Sequence, residues 1–523
     1  MTNKNEADKY NACSKLLDEG KYVEAVKLAE SLSNAPFRAA IFIDGGFVLG
    51  DSSKVRKGTQ IFEDMLLVDE TTNGITKCSI LYNAANGYSS LYSLKRRKGK
   101  DVTPPNDSDL RSAKNLYRQA IENLRHSEPS FASQVLINYG NCLSQFGRFI
   151  DAIEYYERAI QVDPTNGMAA GNLGIELEHA SRITGRYRHE YIALAHDFLK
   201  QALSPKMHLR FGSPQAVKDF QSRLKGLEHF INANKKPILL PKPAEAHHKN
   251  KNQIAYIQFC INNGLFLNAW AGNKEISPGI TDDISFGGIT TPIGDNHLVP
   301  ELLRILNEIK ESYTTARYLY FLSQSKTEIL DNVSQTAIYF DNFDYSINGV
   351  YTGLCKTAYS RAFDVLDKVA RIVNTYFGIG KRESTFWNIF AEKQSQGETH
   401  EIRFIARKTI CDTQNPSMYA LADLCIDYFE DAKVDFKTID ARRNRITHDY
   451  LNVKLYVAKD DNTESVIGLN ELRRQTKDVL RLAKYAVLYA VSSINIAEMR
   501  KKTSDERVMP IIYDGKPGDT FLG

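Results

Sequence analysis

The sequence predicts an all-α protein in which a helical-repeat solenoid is followed by an antiparallel helical bundle. Three observations carry that reading. Small and aromatic residues in the first two hundred positions recur with a period near thirty-four. Apolar residues beyond position 298 recur at three- and four-residue spacing, and a polar stretch punctuated by proline separates the two regions.

Composition agrees with more than one folded domain. At 523 residues the chain is too long for one ordinary core, and 42% hydrophobic with 25% charged residues is the balance of a folded chain. A net charge of +4 supplies no global field for nucleic acid, so any RNA contact must come from a local patch. Cys13, Cys78, Cys142, Cys260, Cys355, Cys411 and Cys425 are scattered, without a CxxC pair or a Cys/His cluster. Buried thiols, no metal site and no cofactor are therefore expected. Gly287-Gly288 is followed by no Lys-Ser/Thr at phosphate-loop spacing. The start, Met1 to Asp8, is polar and no uninterrupted apolar run approaches bilayer length, so a cytoplasmic chain without a membrane partner is expected.

The clearest repeat runs from Leu136 to Pro164. With Gly140 at place eight of a tetratricopeptide template, Gly147, Ala152, Tyr156, Ala159 and Pro164 fall at fifteen, twenty, twenty-four, twenty-seven and thirty-two. Small residues let two antiparallel helices approach, a large one fills between them, and proline ends the second helix. One period later Gly174 takes the eighth place, with Ala195, Leu199 and Ala202 resuming after an insertion. Upstream, Gly46, Gly58, Phe62 and Met65 keep the spacing, as do Gly87, Ala113, Tyr117 and Ala120 around a basic loop from Lys95. Cys13, Gly20 and Ala25 suggest an opening repeat, which makes about five helical hairpins with a concave face for a protein or peptide partner.

The expected divisions are a tetratricopeptide-like repeat domain over 1–232, a linker over 233–252, an irregular lead-in arm over 253–297, a helical domain over 298–502 and an extended tail over 503–523. His247-His248 lies in the linker without a carboxylate or thiol at ligand spacing. Helices are predicted over Leu298–Gln324, Asn348–Phe377 with Gly378 and Gly380 suited to its C-cap, Ser417–Asp431 and Leu469–Met499. The interval Lys381–Asn415 is mixed and suggests no chemistry.

Between the last two helices stands Arg442-Arg443-Asn444-Arg445-Ile446-Thr447-His448-Asp449-Tyr450, with Thr438 or Asp440 as candidate N-cap. A guanidinium can brace a phosphate with two prongs, and an imidazole exchanges a proton near neutral pH. On a helix Asn444 and His448 share a face while Arg443 stands roughly 140° from the histidine. One copy therefore makes an open site, and two copies about a symmetry axis would make a better one. The competing reading is a solvated helix face with no chemistry.

Arg443, Asn444 and His448 resemble the signature of the HEPN superfamily, all-helical domains marked by arginine, an adjacent polar residue and a histidine a few residues on. Ala358 to Ala370 is similar to a core helix of that domain. Tyr256-Ile257-Gln258-Phe259-Cys260 with Leu265 to Asn268 is similar to the lead-in of a branch carrying tetratricopeptide-like repeats. The resemblance implies a HEPN-type bundle and a metal-independent endoribonuclease that leaves 2′,3′-cyclic phosphate and 5′-hydroxyl ends, with RNA as substrate. It also implies a homodimer through this domain and a role as a toxin or anti-phage effector governed by the solenoid. His448 would serve as general acid or base, Arg443 would stabilise the phosphorane, and Asn444 would position phosphate or imidazole. Asp364 and Asp367 are candidates to orient a catalytic side chain. The alternatives are a non-catalytic interaction protein and a regulatory subunit modified by a nucleotidyltransferase.

Overall fold

The computed structural model describes residues 2–67, 76–99, 102–125, 127–209, 214–234, 238–241, 251–270, 277–291, 297–340, 342–380, 384–396, 401–430, 436–458, 461, 465–501 and 508–509. Twenty α-helices and three two-stranded sheets occur among them, so the chain is all-α in class. It divides into two compact units, residues 1–173 with 200–220, and residues 174–199 with 221–523.

The first unit is built of helices in antiparallel succession. They are α1 (Thr2–Asp18), α2 (Tyr22–Ala29), α3 (Ala35–Leu49), α4 (Ser52–Leu67), α5 (Lys77–Arg97), α6 (Ser108–Glu122), α7 (Pro129–Gln145) and α8 (Phe149–Val162). Each packs on the next in the chain. Helices α9 (Gly167–Ala180), α10 (Arg188–Ala202) and α11 (Pro214–Ala233) give residues to both units. The close approach expected of the small residues is visible at Gly140, where a Cβ would stand 2.6 Å from Cε1 of Tyr156. Gly147 makes the turn into α8 with φ of 80°, a left-handed conformation that only glycine adopts freely. The basic stretch ends α5 rather than forming a free loop. Lys95 donates to Asp107 at 2.6 Å, and Arg97 lies over the Phe47 ring at 4.1 Å.

The second unit contains α12 (Lys251–Asn263), β1 (Ile289–Thr290), α13 (Leu298–Leu322), α14 (Glu328–Thr336), α15 (Val350–Phe377) and α16 (Phe386–Phe390). These are followed by β2 (Ala391–Gln396), β3 (Glu401–Ala406), α17 (Lys408–Cys411), α18 (Pro416–Glu430) and α19 (Phe436–His448). The last elements are β4 (Asn452–Lys454), β5 (Val466–Gly468), α20 (Leu469–Arg500) and β6 (Val508–Met509). The bundle core is α13, α15, α18 and α20, and α19 lies on α15 and α18. Tyr313, Tyr359, Tyr489, Leu480 and Val365 are sealed in it. Gly378 closes α15 at φ of 63°. Helix α20 has the length and apolarity of a membrane span, but 78% of its most apolar window is buried in the fold, which marks a core helix.

The irregular arm and the N-cap of the motif helix need correction, and two elements are added to the expected ones. The lead-in arm is not irregular throughout, because Lys251–Asn263 form α12, whose Cys260 and Ile261 bury against Phe266. A nearly unbroken apolar run from Ile254 to Ile261 hides that helix's period. The interval Lys381–Asn415 holds the β2–β3 hairpin, in register Ala391↔Ala406. The Glu392 to Gln396 arm is wholly polar, so no alternation announces a strand. Helix α19 starts at Phe436, so Thr438 and Asp440 lie inside its first turns rather than capping it. Helix α14 was not foreseen. His247-His248 lies outside the described residues, as does the tail except for Val508–Met509, which pair antiparallel with β1.

The candidate active site at the end of helix α19

Helix α19 carries the basic motif and is gripped from two sides. Arg442 turns inward, 8% exposed, and donates to Oε1 of Gln475 on α20 at 3.1 Å. The next residue faces α15. Arg443 Nη2 donates to Oδ2 of Asp367 at 2.8 Å, stands 3.8 Å from Oδ1 of Asp364, and its guanidinium lies 5.6 Å from the centre of the Phe363 ring. Asp364 and Asp367 are three apart on α15, one helical turn, so both reach the same guanidinium. Burial, partly offset by Arg443, holds the Asp364 carboxyl above its ordinary range.

Asp367 is itself fixed. Its Oδ1 accepts the backbone N–H of Phe386 at 3.2 Å, at the start of α16, whose N-cap Thr385 accepts from the Asn388 amide. One carboxylate thus joins the helix after the α15 turn to the motif arginine. A charge-assisted bond of this kind fixes orientation more firmly than a bond between neutral groups.

Asn444 and His448 are exposed, four residues apart on α19, and His448 ends the helix. Thr447 donates back to the Arg443 carbonyl at 3.0 Å and lies 3.4 Å from Ser360 Oγ, while Arg445 pairs with Asp449 at 2.9 Å. The three residues expected to carry chemistry therefore lie on one short helix, two open to solvent and the arginine held against α15.

Beside this pair opens a cleft of about 660 Å³ lined by Asp364, Asp367, Lys368, Arg371, Asn374 and Ser384. Lys368 reaches Ser312 at 2.6 Å and Glu308 at 3.1 Å, and Arg371 pairs with Glu301 at 3.0 Å. The same unit also exposes several apolar side chains. Ile338, Phe340 and Phe343 are each at least nine-tenths exposed. Tyr345 meets Tyr456 edge to face at 5.7 Å, and Leu455 donates its N–H to the Tyr345 carbonyl. Phe343 and Tyr345 both take left-handed backbone angles, φ of 56° and 62°, which cost about 1–3 kcal/mol each for side chains of this kind.

The sequence singled out Asp364 and Asp367 but could not say which side chain they serve. It missed the Phe386 amide and Gln475 altogether. Asp367 stands 76 residues from Arg443 and Gln475 stands 33 from Arg442, so no local signal pairs them.

The fold and motif define a class, a helical bundle with an Arg-x4-His helix in a chain that also holds antiparallel helical repeats. Residues 293–497 match the family model for an LA2681-like HEPN domain, and residues 133–166 match that for a tetratricopeptide repeat. Residues 293–497 are thus similar to a HEPN domain, and residues 133–166 to a tetratricopeptide repeat. No curated protein matches it. HEPN domains point to nuclease-type or nucleotide-related functions, and tetratricopeptide repeats to protein partners.

Proposed function

We propose that this protein is a metal-independent endoribonuclease in which Arg443, Asn444 and His448 carry the chemistry. The observation that supports it best is the arginine held at 2.8 Å by a carboxylate that is itself anchored, one helical turn and more from an exposed histidine on the same helix. The attacking 2′-hydroxyl of RNA loses its proton to His448 or to its symmetry mate, and the other protonates the leaving 5′-oxygen. Arg443 draws the phosphoryl charge, and Asn444 holds a non-bridging oxygen or the imidazole. Asp367 acts on Arg443 alone and is a positioning residue. DNA lacks the nucleophile and is spared.

A homodimer completes the site in this reading. The exposed side chains of Ile338, Phe340, Phe343 and Tyr345 stand with Leu455 and Tyr456, which follow the motif helix in the chain, and exposed apolar groups of this kind mark protein interfaces. The repeats recruit a protein or peptide that governs the nuclease, as suits a cytoplasmic toxin or anti-phage effector.

The test uses purified wild type and His448→Ala on a labelled single-stranded RNA and a DNA of the same sequence, in excess chelator. Wild type is expected to cut RNA to cyclic-phosphate ends and leave DNA whole, with the variant at least about a hundredfold slower. Cleavage of DNA, loss of activity on chelation, or an equally active His448→Ala sinks the proposal. In the last case a non-catalytic interaction protein is the better description.

A further inference from the structure

A second concave site lies away from the motif helix, where the end of α9, the 181–187 turn and the facing sides of α10 and α11 enclose about 320 Å³. Its wall holds three guanidiniums, Arg182, Arg188 and Arg223, against one carboxylate, Glu178. Glu178 divides its oxygens, Oε2 accepting from Arg223 at 2.8 Å and Oε1 from Arg182 at 3.4 Å. That leaves two positive charges in excess, with exposed Arg188 outside the pair. Ile192, Leu227 and Phe230 supply the cavity's apolar lining. Gly226 keeps its side open, since a Cβ there would meet nothing within 4 Å.

The turn that carries Arg182 is a built element rather than a loose loop. Buried Asp283 accepts the backbone N–H groups of Arg186 at 3.0 Å and Tyr187 at 3.1 Å, and also the Thr184 hydroxyl. The Arg182 carbonyl accepts from Asn495 on α20 at 2.9 Å, and the Ile183 carbonyl accepts from the Ser285 N–H at 3.1 Å. The Glu178 bridges hold the Arg223 and Arg182 guanidiniums, which therefore lose little freedom when an anion arrives.

We infer that this cavity binds a nucleoside phosphate, its phosphates among Arg182, Arg188 and Arg223 and its base against Phe230, Leu227 and Ile192. Forked guanidiniums match phosphate oxygens, and a flat ring suits an aromatic and aliphatic wall. The volume lies at the small end of ligand cavities, which fits one nucleotide and leaves no groove for a chain. The inference does not depend on catalysis at His448.

Calorimetric titration of the full-length protein with ADP, adenosine and inorganic phosphate, without divalent metal, tests it. ADP is expected to bind saturably below about 1 mM, with phosphate and adenosine each at least about tenfold weaker. Arg188→Ala, at an exposed position, and Phe230→Ala, checked for fold by circular dichroism, should each weaken ADP binding about tenfold. No saturable heat with ADP overturns the inference. So does phosphate or adenosine binding as tightly as ADP, or an Arg188→Ala protein that binds as wild type.

Discussion

The repeat unit and the HEPN bundle are both helical, yet they are held together by different means. In the repeats the decisive contacts are local and small. Gly140 makes room for Tyr156 sixteen residues on, and Ser133 donates to the Ala159 carbonyl at 3.0 Å. In the bundle they are distant and charged. Arg317, 3% exposed, donates with both terminal nitrogens to Asp282 at 2.8 Å and with one also to the Leu265 carbonyl at 3.0 Å, fastening the lead-in to α13. Arg443 reaches across 76 residues to Asp367. A sequence pattern specifies the first kind of contact, because spacing and size suffice. It does not specify the second, where each partner has many possible mates.

The largest effect that sharpens this contrast is expected at Arg317. Replacing it by alanine leaves Asp282 at the lead-in without its partner and removes the guanidinium that packs on Phe266 at 4.9 Å. A loss of about 3–5 kcal/mol is expected by denaturant titration, in line with broken buried pairs. A loss under about 1 kcal/mol would mean that apolar packing, not the ion pair, fastens this segment.

Next comes the exposed aromatic row. Phe340→Glu with Phe343→Glu should leave the thermal midpoint unchanged, since both side chains are nine-tenths exposed, while weakening self-association about a hundredfold in analytical ultracentrifugation. Association unaltered by the pair of charges would remove this face from the proposed dimer.

A smaller effect is expected in the repeats. Gly140→Ala puts a methyl against the Tyr156 ring and should cost about 1–3 kcal/mol, whereas Gly226→Ala, facing open space, should be neutral or slightly stabilising. Equal effects at the two glycines would show that helix propensity, not close approach, sets the repeat glycines.

The smallest effect concerns Asp364. Its carboxyl is raised in the folded chain, chiefly by burial, so the folded state holds a proton that the unfolded state has released. Stability therefore falls as pH rises from the ordinary aspartate range through the raised value. Asp364→Asn should flatten that part of the stability profile, and an unchanged slope would assign it to other carboxyls.

How much could be read in advance follows from the same contrast. Template positions mark the helical pairs α1–α2, α3–α4, α5–α6 and α7–α8, because small residues such as Gly140 answer to a neighbour within one period. Four bundle helices were legible from three- and four-residue spacing, and Gly378 marked the end of α15. The hairpin was not legible, since Glu392 to Gln396 offers no apolar face, and α14 was not, since none of its residues is buried. Within the candidate site the motif itself stood out by residue type. What holds it did not, because a backbone amide such as that of Phe386 leaves no mark in the sequence.

The clasp on Arg443 bears on how the cleft meets polyanions. Around the opening, Lys368, Arg371 and Arg443 stand against Asp364 and Asp367, and Lys368 and Arg371 are further matched by Glu308 and Glu301. The outward potential is consequently weak, and long-range capture of nucleic acid by this mouth is slow compared with a strongly basic groove. In the proposed nuclease, encounter would then be governed by whatever delivers a strand to α19, and chance collisions with abundant transcripts would go largely unrewarded.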